Sequence, residues 1–153
     1  IESLGDITLE NNIISIQIAL EALSYIILVE KEGLLDDEQF DQNNASKNIK
    51  LVLNACNIPH GSDELELFDD WIRGKFDDGV DLVIYFRNKI VHPVRKDNRA
   101  NLTVEDMWNI IQIGTKYIEL IVLSFIGYKG EYSNRLKERW FGEVEVVPWN
   151  KLD

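Results

Sequence analysis

With two histidines and one cysteine among 153 residues, the chain has few side chains suited to chemistry near neutral pH. The densest set of reactive types is Arg87, Asn88 and His92, inside Tyr85-Phe86-Arg87-Asn88-Lys89-Ile90-Val91-His92-Pro93. Histidine exchanges protons near neutrality, and arginine presents a planar fork of donors to anions. Asn88 and His92 lie four apart, so a helix places them on one face. Arg87 is five residues from His92, about 140° around an ideal helix, and needs its long side chain or a backbone bend to share a site with the imidazole. Pro93 supplies a reason for a bend, because the residue before proline is pushed out of the α region. His92 is therefore expected where the helix ends, a position at which the dipole favours positive charge. The same three residues also suit a plain helix-end cap, and types and spacing alone do not separate the two readings.

The other constellations are weaker. The pairs Asp36-Asp37, Asp69-Asp70 and Asp77-Asp78 could suggest a divalent metal, but adjacent carboxylates at helix starts ordinarily serve as caps and dipole partners. Cys56 and His60 lack the second ligand pair that a zinc site needs, and His60 reads as a loop residue beside Pro59. Gly114-Thr115-Lys116 resembles the end of a phosphate-binding loop, yet Asn109 stands where the first glycine belongs. No cofactor and no metal are expected.

The elements that must position the triad read as an all-α bundle of about five helices with an extended C-terminal tail. Residues 1–130 form the bundle, and 131–153 pack on it as part of the same domain. Ile1 to Thr8 reads as a lead-in with Asp6 or Thr8 as N-cap. Leu9 to Lys31 carries Ile13, Ile16, Leu20, Leu23 and Ile27 at helical spacing and ends at Gly33. Asp36-Asp37-Glu38 opens a second helix reaching Asn57, and Ser62 caps a third over Asp63 to Arg73. The triad helix follows over Asp78 to Val91, with Val80, Val83, Ile84, Phe86, Ile90 and Val91 apolar. Thr103 and Asp106 have the spacing of a capping box before the last long helix, which runs to Tyr128 with Trp108, Ile111, Ile118, Ile121, Val122 and Phe125 apolar. That helix is apolar on more than one face, so it runs through the bundle centre or meets another subunit. Glu143 to Val146 alternates as a strand does.

The net charge of −11 argues against general nucleic-acid affinity. Charge is uneven, however: Arg87, Lys89, Arg95, Lys96 and Arg99 against Asp97 give +4 over thirteen residues. A second basic run, Lys129, Arg135, Lys137 and Arg139, follows the last helix. The lone Cys56 and the absence of a signal-peptide pattern point to a reducing, cytoplasmic setting. Ile13 to Val29 is apolar enough to suggest a membrane span, but Gln17 and Glu21 at its centre favour a buried helix, so no membrane partner is expected. The chain opens on Ile1 rather than Met, which fits a piece of a longer protein.

Arg87-Asn88-x-x-x-His92 resembles the Arg-polar-x-x-x-His signature of the HEPN superfamily, all-α domains often used as ribonucleases in defence and toxin systems. There is also a general similarity to ApeA-type antiphage defence proteins, which would make this a C-terminal effector domain under an upstream regulatory one. The resemblance implies metal-independent cleavage of RNA by attack of the 2′-hydroxyl on the adjacent phosphate. His92 would act as general base or acid, Arg87 would stabilise charge on the phosphate, and Asn88 would orient them. Two copies of the motif would meet across a homodimer in a composite cleft. Lys89, Arg95, Lys96 and Arg99 would track the RNA backbone while Tyr85 or a tryptophan offers a stacking face, although each of these cations also suits a solvated loop. A rival reading from a different class is a HEPN-like bundle without catalysis, serving dimerisation or nucleotide-binding regulation.

Overall fold

The longest apolar segment sits where its burial stabilises most. In the computed structural model, which describes residues 2–92, 103–137 and 143–150, helix α1 (Glu2–Tyr25) packs against α3 (Ala45–Ala55), α5 (Gly79–Val91) and α6 (Val104–Phe125). Ile13, Ile16 and Leu20 are buried at helical spacing. Leu9–Lys31 is long and apolar enough to cross a membrane by length and composition. Here its inner face instead packs into the bundle, with Gln17 and Ser24 buried as well. Ser24 Oγ donates to the Leu20 carbonyl at 2.7 Å, and Gln17 donates its amide to Glu21.

The fold is mostly α, as expected, with boundaries that differ from the sequence reading in four places. The lead-in is helical from Glu2, so Asp6 and Thr8 lie inside α1. After Tyr25 the helix widens into a π turn (Ile26–Lys31), and the chain reverses at Gly33, whose φ of +59° suits a residue without Cβ. The expected second helix is two, α2 (Asp37–Gln42) and α3, because Asn44 turns extended and accepts from Lys47 N–H as a new N-cap. The expected third helix is a 3₁₀ segment (Ser62–Leu67) and a single turn, α4 (Asp70–Arg73), separated by the extended Phe68 and Asp69.

The last two helices form as their caps dictate. Asp78 caps α5 by accepting from Asp81 N–H, and Thr103 with Asp106 closes a reciprocal capping box on α6. On α6, Met107, Ile110, Ile113, Tyr117, Leu120 and Ile121 are buried, whereas Trp108, Val122 and Phe125 of the apolar set are exposed together with Val104 and Ile126. An ideal Cβ on Gly114 would lie 2.3 Å from Ile16 Cγ2, so α1 and α6 cross at a close approach that only glycine allows. Beyond α6, β1 (Glu131–Tyr132) pairs antiparallel with β2 (Glu145–Val146), Glu131 opposite Val146. Val147 is buried, and Trp149 donates Nε1–H to the Tyr128 carbonyl at 2.7 Å. The tail thus packs on the bundle end.

Candidate active site at the end of the fifth helix

Helix α5 buries Val80, Leu82, Val83 and Phe86 and sends its last turn toward solvent. His92 is its C-cap, at φ −118° and ψ 69°, with its N–H bonded to the Asn88 carbonyl at 3.0 Å. The helix therefore ends where the residue before proline must leave the α region. The imidazole is on the surface, and among the described residues it has no hydrogen-bond partner. Asn88 is exposed, one turn back, and accepts at Oδ1 from Arg87 Nη1 at 3.1 Å. Arg87 is half-buried, its Nε enclosed without a partner, and it forms no ion pair among the described residues. In a chain with 27 carboxylate side chains, an arginine in that state is unusual.

Tyr85, Asn88, Lys89 and His92 share the outer face of α5, at successive helical offsets of three or four. Tyr85 packs edge-on against Phe76, centroids 5.0 Å apart, and against Phe86 at 5.1 Å. Lys75 Nζ donates to Tyr85 Oη at 2.8 Å, and this bond holds the phenol below its ordinary value against the opposing effect of burial. Lys89 lies over the same ring, 5.3 Å from its centroid. The three further basic candidates, Arg95, Lys96 and Arg99, lie outside the described residues. In the second basic run, Arg135 is engaged by Glu119 and Lys137 by Glu145. Sequence reasoning overlooked Lys75, whose only signal was its place two residues after Arg73 in a basic Gly-Lys-Phe turn.

At the opposite end of α5 lies a polar cluster that periodicity could not reveal. The Asp78 side chain is 8% exposed and pairs with Lys50 at 2.9 Å and with His60 Nδ1 at 3.3 Å. Lys50 also reaches Asp81 at 2.7 Å, and Ser46 donates to Asp81 at 2.6 Å. His60 is thus more than a loop residue, since its Nε2 also faces Asn54 Oδ1 at 3.2 Å. Buried Glu64 accepts from Tyr117 and pairs with Lys116 at 2.8 Å. Burial, then the Glu64 charge, pushes the Tyr117 phenol well above its ordinary value. The first set ties α3 and the His60 loop to the start of α5, and the second ties the 3₁₀ segment to α6. Among the described residues, no group of three or more His, Cys, Asp or Glu is placed to hold a metal.

The chain can be compared with known proteins on this footing. The model of the YopA C-terminal domain matches residues 1–146. The SPbeta prophage-derived uncharacterized protein YopA of Bacillus subtilis (strain 168) is 35% identical over 146 residues, covering 94% of this chain and 32% of its own length. The chain thus spans about a third of the curated relative it matches. No solved structure matches. A match across nearly the whole chain decides the family: this protein belongs to the YopA C-terminal domain family.

Proposed function

We propose that this domain is a metal-independent endoribonuclease of HEPN type, with Arg87, Asn88 and His92 as its reacting set. The observation that carries the proposal is the half-buried Arg87, free of any carboxylate among the described residues, in the same last turn as the exposed His92. A guanidinium that spends one donor on Asn88 and none on a carboxylate binds a phosphate at little reorganisation cost. In the reaction, the 2′-oxygen attacks phosphorus and the bond to the 5′-oxygen breaks. One imidazole takes the 2′-hydroxyl proton, and a second gives a proton to the departing 5′-oxygen. Arg87 neutralises the non-bridging oxygens as charge builds, and Asn88 fixes the fork through its bond to Nη1.

Since one copy supplies one such histidine, the acid–base pair requires two chains, and the exposed apolar stripe of α6 gives a dimer a surface to bury. The prophage origin of the Bacillus relative suits an effector in conflict between phage and host, of the abortive-infection or toxin kind. That stripe and the acidic surface equally favour a non-catalytic dimerisation module, and product chemistry separates the two. RNA treated with the domain in EDTA should yield fragments with 2′,3′-cyclic phosphate and 5′-hydroxyl ends, and a single 2′-deoxy sugar at a mapped site should block cutting there. Intact RNA under these conditions, from folded dimeric protein, favours the module.

A further inference from the structure

The geometry points to a base-stacking subsite for single-stranded RNA, formed by Trp71, Lys75, Tyr85 and Lys89 beside the Arg87–His92 site. It rests on the ribonuclease reading only in taking RNA as the ligand. Three elements meet there: α4 brings Trp71, the following turn brings Lys75, and α5 brings Tyr85 and Lys89. Lys75 Nζ lies near three rings, 4.1 Å from the Tyr85 centroid, 5.6 Å from that of Phe76 and 5.8 Å from that of Trp71. Phe76 and the buried Phe86 buttress Tyr85 from within, so that platform is held rigidly. Trp71 is 45% exposed, leaving much of the indole to solvent.

Single exposed aromatics are ordinary. The combination here is not, because neither Lys75 nor Lys89 pairs with a carboxylate among the described residues of a chain of net charge −11. On α4 itself, Asp70 is engaged by Arg73. An exposed indole beside cations that no carboxylate neutralises is what an unpaired strand requires: a base stacks on Trp71, a second base takes the Tyr85 face as Lys75 and Lys89 swing from it, and phosphates bind the ammonium groups. Tyr85 and His92 lie on one face of α5, about 10 Å apart along its axis. A strand following that face therefore passes from the stacking platform to the imidazole, and the subsite sets where the scissile phosphate falls.

The test uses a fluorescent 2′-O-methyl oligoribonucleotide, which cannot supply the attacking hydroxyl, titrated by anisotropy with the 153-residue chain and its variants. Trp71→Ala should weaken binding about five- to a hundredfold, the range for losing one base–aromatic stack, while Trp71→Phe retains most of the affinity. Lys75→Gln should reduce the slope of log affinity against log salt by about 0.7, as for one lost phosphate contact to a single strand. A duplex of the same sequence should bind more weakly, because paired bases cannot stack on the rings. Wild-type affinity in Trp71→Ala, equal binding of duplex, or no binding by the wild type overturns the subsite. Binding that depends on Trp71 without cleavage of ordinary RNA retires the ribonuclease reading and leaves the subsite. Cleavage with unaltered affinity in Trp71→Ala does the reverse.

Discussion

Replacing Asp78 by alanine should loosen α5 at the end opposite His92, and the cost can be worked out from its contacts. Asp78 Oδ1 accepts the Asp81 N–H at 3.0 Å, and losing such a cap costs about 1 kcal/mol. Its Oδ2 pairs with Lys50, and stripping one partner from a fully buried ion pair costs about 3–5 kcal/mol. Two facts reduce that figure: the Lys50 side chain is 28% exposed, and it keeps Asp81 at 2.7 Å. A charge cost of about 1–2 kcal/mol is then appropriate, giving about 2–3 kcal/mol in total. Asp78→Asn retains an acceptor suited to the N-cap and removes only the charge, so it should cost about 1–2 kcal/mol. Urea denaturation should show both midpoints lowered at unchanged slope, and the Tm of Asp78→Ala should fall by about 4–12 °C. Equal losses for Ala and Asn would show that the cap contributes nothing. A loss below about 0.5 kcal/mol for alanine would refute the reasoning, placing the cluster in the class of weak solvated pairs.

Three other perturbations have definite expected outcomes. Gly114→Ala gains about 1 kcal/mol of helix propensity but drives a methyl into Ile16, whose χ1 is stiff in a helix, so a net loss of about 1–2 kcal/mol is predicted. The Ile16→Ala, Gly114→Ala double variant should lose less than the sum of the singles in urea melts. Burial pushes the Asp81 carboxyl up, but hydrogen bonds from Lys50 and Ser46 outweigh it and leave it below its ordinary 3.8. Its contribution is therefore complete above that value and disappears as pH falls through the lower folded value, and Asp81→Asn should flatten the acid limb of stability against pH. Spectrophotometric titration should find one tyrosine ionising early, and Lys75→Met should return it to the ordinary range, because the Lys75 bond is the main cause of Tyr85's displacement.

Much of the fold was legible because it is repetitive. The apolar spacing of α1, α5 and α6, the caps at Asp78 and Thr103, and the stop at His92-Pro93 are local signals, and the structure follows them. Breaks inside expected helices were not legible, since Asn43-Asn44 and Phe68-Asp69 disturb the apolar pattern too little to outweigh it. Facing on α6 stayed open in the sequence because Trp108, Val122 and Phe125 are as apolar as the core residues, and hydrophobicity alone does not say where a buried stripe stops. At the site, Arg87, Asn88 and His92 could be grouped from spacing within one helix. The Lys50–Asp78–His60 cluster and the Glu64–Lys116–Tyr117 contact could not, because chain separations as great as 53 residues leave no periodic trace. Trp71 and Lys75 stayed hidden because the turn after α4, which carries Lys75 over Tyr85, has no periodic pattern to place it.

The central claim is that Arg87 and His92 together cut RNA. The most direct measurement is the single-turnover cleavage rate of one RNA oligonucleotide in EDTA, for the wild type, Arg87→Ala and His92→Ala purified identically. The account predicts a measurable wild-type rate and a fall of about a hundredfold or more in each variant, the scale of losing a general acid–base or an oxyanion-stabilising group. His92 is exposed and Arg87 half-buried in the last turn of α5, and neither is ion-paired among the described residues, so the three proteins should melt within about 1–2 kcal/mol of one another. Equal rates in all three would contradict the account by placing the activity elsewhere, and no cleavage by a folded, dimeric wild type would contradict it outright.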